Sequence, residues 1–189
     1  HDAYVIADEV YAALTYDRDP TGMATLVDDS EHVITIGSCS KAYAMTGWRV
    51  GWLATESSVV DETTKIREST TASTPTPSQH AAIAALEGPQ APVREMQTAF
   101  RERRDYVTDR LAEMDGVKAS RSQGAFYAFL DPEGYDDSTA LAKALVTEAG
   151  VVFAPGAGFG DAGEGKLRLS YANSLDRLET GLDRLDAYL

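Results

Sequence analysis

The chain has 189 residues, and 30 Asp and Glu against 17 Lys and Arg give it a formal net charge of −13 at pH 7. This charge argues against a nucleic acid partner, because binding to a phosphate backbone needs a basic surface. One cysteine excludes an internal disulfide, the three scattered histidines form no metal-binding pattern, and no apolar run approaches the ~18 residues of a membrane span.

The first part of the chain predicts strands and helices in alternation. Short apolar runs predict three strands, the first of them buried, at 4–7, 33–36 and 50–54. A helix is predicted from 57 to about 68, and prolines and hydroxyl side chains predict an ordered loop or linker over 70–77. Ser78 can cap a short helix over 79–87. This alternation is typical of an α/β fold with a mainly parallel sheet.

A long amphipathic helix is predicted over roughly 92–115, where apolar residues recur at helical spacing. We place the domain boundary on it, with one domain over 1–91, the connecting helix over 92–115 and a second domain over 116–189. The second domain combines short strands with helices. Strands are predicted at 117–119, 125–130, 151–153 and 167–170, and helices over 139–149 and from Asn173 or Ser174, as the cap, to the end.

Residues able to carry chemistry follow the first two predicted strands. Asp8 ends the first strand, and Ser38 and Lys41 come directly after the second. Open α/β sheets bind ligands at the carboxyl ends of their strands. The amine of Lys41, the hydroxyl of Ser38 and the planar fork of Arg49 suit a phosphorylated aldehyde held near an amine.

Each of these residues also has an ordinary structural interpretation. Taken alone, Lys41 could be a surface lysine, Asp8 an acid capping a loop, and Tyr11 a core tyrosine. Cys39 has no paired histidine, so we interpret it as a small buried apolar residue. The glycines in 156–165 are not followed by a helix, so a dinucleotide site is not expected there.

Four segments together carry a family resemblance. The sequences ADEVY at 7–11 and SCSKAYAMTGWRVG at 38–51 closely resemble motifs of the fold-type I pyridoxal-phosphate aminotransferases of class I/II, aspartate aminotransferase subgroup. LRLSYA at 167–172 resembles the segment that binds the substrate carboxylate, and GAFY at 124–127 resembles a small-domain strand. The resemblance implies an α/β fold, with the C-terminal part of the large domain and its mainly parallel sheet followed by a small α+β C-terminal domain.

The resemblance implies a cofactor, pyridoxal 5'-phosphate, and a role for each residue around it. Lys41 is the implied Schiff-base lysine and proton carrier, and Asp8 keeps the pyridine nitrogen protonated. Tyr11 hydrogen-bonds the phenolate oxygen of the cofactor, while Ser38 and Arg49 bind its phosphate.

The implied reaction is transamination between an amino acid, aspartate-like or of broad range, and a 2-oxo acid. Arg168 is implied to pair with the substrate α-carboxylate; without its flanking residues it would be an ordinary surface arginine. The resemblance also implies that the intact protein is a homodimer. It begins in the middle of the large domain, so we expect the chain alone to have little or no activity.

Three other interpretations remain open at this stage. One is a pyridoxal-phosphate-dependent carbon–sulfur β-lyase with the same fold, and another is an aminotransferase-like sensor domain of a transcription regulator. The third is an α/β fragment that retains no function.

Two further expectations concern the environment of the protein. The N-terminal residues lack the charged-then-apolar layout of a signal peptide, which predicts a cytoplasmic location. The excess of acids, together with only five lysines against twelve arginines, favours the hypothesis of a surface adapted to high salt.

Overall fold

The computed structural model describes residues 3–189, and the chain divides into two compact units. The first unit ends at Gln97 and the second is Thr98–Leu189, so the division falls within the long helix Ala91–Glu113. This is the helix that the apolar spacing predicts over 92–115.

A three-stranded sheet organises the first unit. Its strands β1 (Val5–Asp8), β2 (Val33–Ser38) and β3 (Gly51–Ala54) lie in the order β1-β2-β3. β1 runs parallel to β2, with Asp8 opposite Ile36, whereas β3 runs antiparallel to β2. The parallel pairing brings the carboxyl ends of β1 and β2 to the same end of the sheet.

The prediction of a buried first strand was wrong. In β1 the side chain of Ile6 is 67% exposed, and the neighbouring Val5 is also exposed. A continuous apolar run is typical of a strand covered on both faces. Here β1 and β3 are the two edges of a sheet with only three strands among the described residues, so much of their apolar surface stays open.

The helices of the first unit largely follow the predictions. They are α1 (Cys39–Ala42), α2 (Ser57–Thr70) and α3 (Thr76–Glu87), and the chain then enters α4 (Ala91–Glu113). The prediction that Ser78 caps α3 was wrong. The helix begins at Thr76, and Ser78 is buried in its first turn. Pro77 is tolerated there, since the first amides of a helix have no intrahelical acceptor.

The second unit contains an antiparallel sheet of four strands in the order β4-β5-β7-β6. These strands are β4 (Val117–Ala119), β5 (Tyr127–Pro132), β6 (Ala154–Pro155) and β7 (Leu167–Ser170). Two helices accompany them: α5 (Ser138–Ala144), which continues as a π-helical turn over Leu145–Ala149, and α6 (Leu175–Tyr188). Leu178, Leu182 and Leu185 of α6 are buried, as their helical spacing predicts.

The strand predicted over 151–153 lies elsewhere. Val151 and Phe153 are buried and Val152 is 82% exposed, so the side chains alternate as they would in a strand. The residues that pair with β7 on the side away from β5, however, are Ala154 and Pro155. The side chains of residues 151–153 therefore alternate between buried and exposed before the chain pairs with β7.

The glycine loop, defined as residues 156–165, is tied to the start of α5 through Ser138 and Glu164. The Glu164 carboxylate accepts hydrogen bonds from the Ser138 amide at 2.8 Å, the Ser138 hydroxyl at 2.8 Å and the Gly165 amide at 3.2 Å. The Ser138 hydroxyl in turn accepts from the Ala157 amide at 3.1 Å. The Ser138 amide and hydroxyl, followed by the Gly165 amide, lower the pKa of Glu164 below its ordinary value.

We expect this carboxylate to make the stability of the second unit depend on pH. A lowered pKa in the folded state means that the contribution is complete above the ordinary value of 4.5 and is lost as the pH falls through the lower folded value. Glu164→Gln should therefore flatten the acid side of the stability profile, measured as melting temperature between about pH 6 and pH 3. Glu179→Gln, at an exposed position on α6, should keep the wild-type profile. Identical acid slopes in wild type and Glu164→Gln would contradict the prediction.

Candidate active site

The turn from β2 into α1 sets the position of Lys41. Ser38 ends the strand and caps the helix, since its hydroxyl oxygen accepts a hydrogen bond from the Ser40 amide at 3.0 Å. The same hydroxyl donates to the carbonyl of Val50 at 3.3 Å. Lys41 follows within the single turn of α1 and is half-buried. The lysine therefore stands just past the carboxyl end of the central strand.

Arg49 reaches the same region from the connection between β2 and β3. Its backbone is left-handed, with φ of 51°, and its guanidinium donates to the Thr46 carbonyl at 3.1 Å. Ser38, Ser40 and Arg49 line one cavity of about 580 Å³, together with Arg67 of α2. Hydroxyls and guanidinium groups that converge on one space suit an anionic group such as a phosphate.

Asp8 and Tyr11 come from the end of the neighbouring parallel strand. Asp8 is exposed, and its carboxylate accepts a hydrogen bond from the Val10 amide at 3.3 Å. The Lys41 ammonium nitrogen lies 5.8 Å from the centre of the Tyr11 ring, within the range of a cation–π contact. Lys41 thus lies beside the Tyr11 ring, whereas Ser38 and Arg49 line the same cavity.

The cavity that Ser38 and Arg49 share does not include the other predicted residues. Asp8, Tyr11 and Lys41 are absent from its lining. They are linked to it through the backbone, because Asp8 lies opposite Ile36 in the parallel ladder, two residues before Ser38. Asp8 and Ser38 therefore mark the carboxyl ends of two adjacent parallel strands of the first unit.

Trp52 is a neighbour of this site that the sequence analysis missed. A β-carbon added to Gly37, directly before Ser38, would lie 2.3 Å from the Trp52 ring. The indole therefore packs against bare backbone at the end of β2. The available signal was Gly37 itself, since a glycine inside a β-branched run often marks a close approach.

Cys39 is fully buried, in a cluster with Met45 and Ala82 that packs α1 against α3. Burial raises the pKa of its thiol above the ordinary value. A buried thiol that resists deprotonation is a poor nucleophile. This agrees with the interpretation of Cys39 as a small apolar residue.

Arg168, the remaining predicted site residue, lies in the second unit on β7. Two aromatic rings contact its guanidinium, with the Tyr127 ring centre at 4.3 Å and the Phe159 ring centre at 4.4 Å. Within the second unit, none of the described acidic side chains forms an ion pair with it. The sequence analysis did not predict either ring contact, although Tyr127 lies in the aromatic strand that it identified.

Two features are absent from the described residues: a cluster of metal ligands and a membrane-spanning helix. Over residues 3–189, no group of three or more His, Cys, Asp or Glu side chains could hold a metal ion. In the same part of the chain, no helix has the length and apolar character needed to cross a membrane.

Comparisons with known proteins agree on one family. The model of the family described as "Aminotransferase class I and II" matches residues 1–185. An aspartate aminotransferase of Bacillus subtilis is 34% identical over 197 residues, which cover 100% of this chain and 50% of that protein. The crystal structure of aspartate aminotransferase from Thermotoga maritima matches with a TM-score of 0.90 and 36% identity, covering 99% of this chain and 48% of that one.

A further structure, an aromatic aminotransferase from Pyrococcus horikoshii, matches with a TM-score of 0.93 and 36% identity over 100% of this chain and 52% of its own. These likenesses confirm the predicted fold class. The chain spans about half the length of the relatives and solved structures that it matches.

Proposed function

Because this chain belongs to the class I and II aminotransferases, we propose that it carries the cofactor lysine, Lys41, of a pyridoxal-phosphate-dependent transaminase. The substrates would be an amino acid, aspartate-like or of broad range, and a 2-oxo acid. The observation that supports this best is the placement of Lys41 beside Tyr11, next to the strand end where Ser38 and Arg49 share a cavity.

The residues of the first unit fit pyridoxal phosphate chemically. Ser38 and Arg49 offer a hydroxyl and a guanidinium for its phosphate, and they do so from one cavity. Lys41 offers an amine, and Tyr11, within 5.8 Å of it, offers a phenol for the hydroxyl side of the ring. Asp8 offers a carboxylate that would hold a proton on the ring nitrogen. When bound, the cofactor supplies an aldehyde for the amine and a ring that accepts electrons.

Each side chain then has a defined task in the proposed reaction. Lys41 in its neutral form would take a proton from the α-carbon of the amino acid and return it. Arg168, on β7, would bind the α-carboxylate with two parallel N–H donors. Asp8 and Tyr11 would maintain the protonation and orientation of the cofactor ring.

The complete activity is proposed for a protein that also contains the half that this chain does not span. Parts of the cofactor pocket and of the subunit contact would come from that half, so the 189-residue chain alone should show little or no turnover. A homodimer and a cytoplasmic location stay predictions from the sequence.

Product analysis of the longer protein tests the function. With an amino acid donor and 2-oxoglutarate, a transaminase forms glutamate, whereas a β-lyase forms pyruvate from a sulfur-containing amino acid without any acceptor. Glutamate as the product would support the proposal. Pyruvate formed without an acceptor would instead indicate the β-lyase. Binding of pyridoxal phosphate without any turnover would indicate the sensor domain. Robust turnover by the 189-residue chain alone would overturn the requirement for the other half.

A further inference from the structure

The glycine loop, residues 156–165, has no role in the function proposed above, yet its conformation is tightly defined. The Gly156 amide donates to the Lys166 carbonyl at 2.8 Å. A β-carbon on Gly156 would lie 2.0 Å from the Gly163 carbonyl oxygen, so the two ends of the loop touch through bare backbone. Ser138, which is fully buried, holds the loop to α5 by accepting from the Ala157 amide at 3.1 Å.

Phe159 extends from this well-anchored loop and is 51% exposed. Its ring centre lies 4.4 Å from the Arg168 guanidinium, and its ring is nearly perpendicular to that of Phe129 at a centre-to-centre distance of 5.8 Å. A half-exposed phenylalanine on a loop gains little from burial in the core. Its contacts instead place it against a cation.

Tyr127 is held against the same cation by the sheet. Arg168 lies opposite Phe129 in the ladder between β5 and β7, and Tyr127 is the next residue on that face, in the diagonal position. The Tyr127 carbonyl accepts from the Ser122 hydroxyl at 2.5 Å, and the Ser122 carbonyl accepts from Arg104 at 2.8 Å. Arg104 is only 1% exposed, so the chain of contacts behind Tyr127 begins in the core.

Two fixed rings around one guanidinium have a chemical consequence. Aromatic rings attract a guanidinium without neutralising its charge. The second unit, as described, supplies no carboxylate as an ion-pair partner for Arg168. The rings therefore orient a cation whose charge is left for a ligand, and they exclude water from part of its surface.

We propose that Phe159 and Tyr127 are positioning residues that hold Arg168 ready for the planar carboxylate of an amino acid or 2-oxo acid. This inference rests on the proposed function, in which Arg168 binds the substrate carboxylate. It gives the glycine loop a role: the loop carries Phe159 to the guanidinium. A guanidinium fixed in orientation loses less conformational entropy when it forms two parallel hydrogen bonds.

Phe159→Leu tests the inference with two readouts. In the longer enzyme it should raise KM for the amino acid about tenfold while kcat changes by less than about twofold. Tenfold corresponds to about 1.4 kcal/mol, which lies between the values of an exposed and a desolvated cation–π contact. In the 189-residue chain labelled with nitrogen-15, the side-chain N–H signal of Arg168 should lose the upfield shift that a ring current produces. Tyr127→Leu should act in the same direction.

Phe153→Leu is the matched control, since Phe153 is a buried phenylalanine of the same unit with no ring contact to Arg168. It should leave KM and the Arg168 signal unchanged. Arg168→Lys separates this inference from its premise. An unchanged KM in Arg168→Lys would overturn the carboxylate role and the inference with it. If Arg168→Lys raises KM but Phe159→Leu keeps the wild-type KM and the wild-type position of the Arg168 signal, the inference alone is overturned.

Discussion

Replacing Lys41 with arginine is expected to abolish covalent attachment of pyridoxal phosphate. Arginine keeps the positive charge and the length of the side chain, but its guanidinium stays protonated and offers no amine to an aldehyde. Lys41 is the lysine beside Tyr11 at the end of β2, whereas Lys65 of the same unit lies on exposed α2 and pairs with Glu62 at 2.6 Å. Attachment should therefore be specific to Lys41.

The measurement is mass analysis of peptides after incubation with pyridoxal phosphate and reduction with borohydride. Wild type should carry the reduced adduct on the Lys41 peptide, Lys41→Arg should carry none there, and the control Lys65→Arg should match wild type. Where the 189-residue chain takes up no label, the same three proteins are compared in the longer form that contains the other half. An equal amount of adduct in Lys41→Arg, on any lysine, would contradict the assignment.

Much of the local structure could be predicted because it depends on nearby residues. The spacing of Leu178, Leu182 and Leu185 specifies α6 and its buried face without reference to the rest of the fold. The same holds for the turn after β2, where Ser38 caps α1 and thereby places Lys41. Ser38 and Lys41 are close in sequence, so their proximity in the structure follows from this single turn.

What could not be predicted depends on contacts between distant segments. The composition of β1 is that of a buried strand, but Ile6 is exposed because burial is determined by which strands and helices flank the sheet. The rings around Arg168 follow from the register between β5 and β7 and from the path of the glycine loop. Neither register nor loop path is encoded in a local pattern, so both required the structure.

Gly156→Ala is expected to destabilise the second unit strongly. The added β-carbon would lie 2.0 Å from the Gly163 carbonyl oxygen and 2.7 Å from the Lys166 carbonyl oxygen. Both are backbone atoms, so no side-chain rotation relieves the overlap, and the loop must open and lose the hydrogen bond from the Gly156 amide to Lys166. We expect a loss of about 3 kcal/mol in the free energy of unfolding, measured by urea denaturation.

Gly158→Ala is the matched control, two residues further along the same loop. Its β-carbon would meet no atom within 4 Å, and its backbone is not left-handed, so the free energy of unfolding should change by less than about 0.5 kcal/mol. The difference between the two variants isolates the close approach of Gly156 to Gly163 from the general effect of alanine on a flexible chain. Because this contact shapes the loop that carries Phe159, Gly156→Ala should also move the Arg168 side-chain signal, whereas Gly158→Ala should not. Equal unfolding free energies for the two variants would show that the loop is not held by this contact.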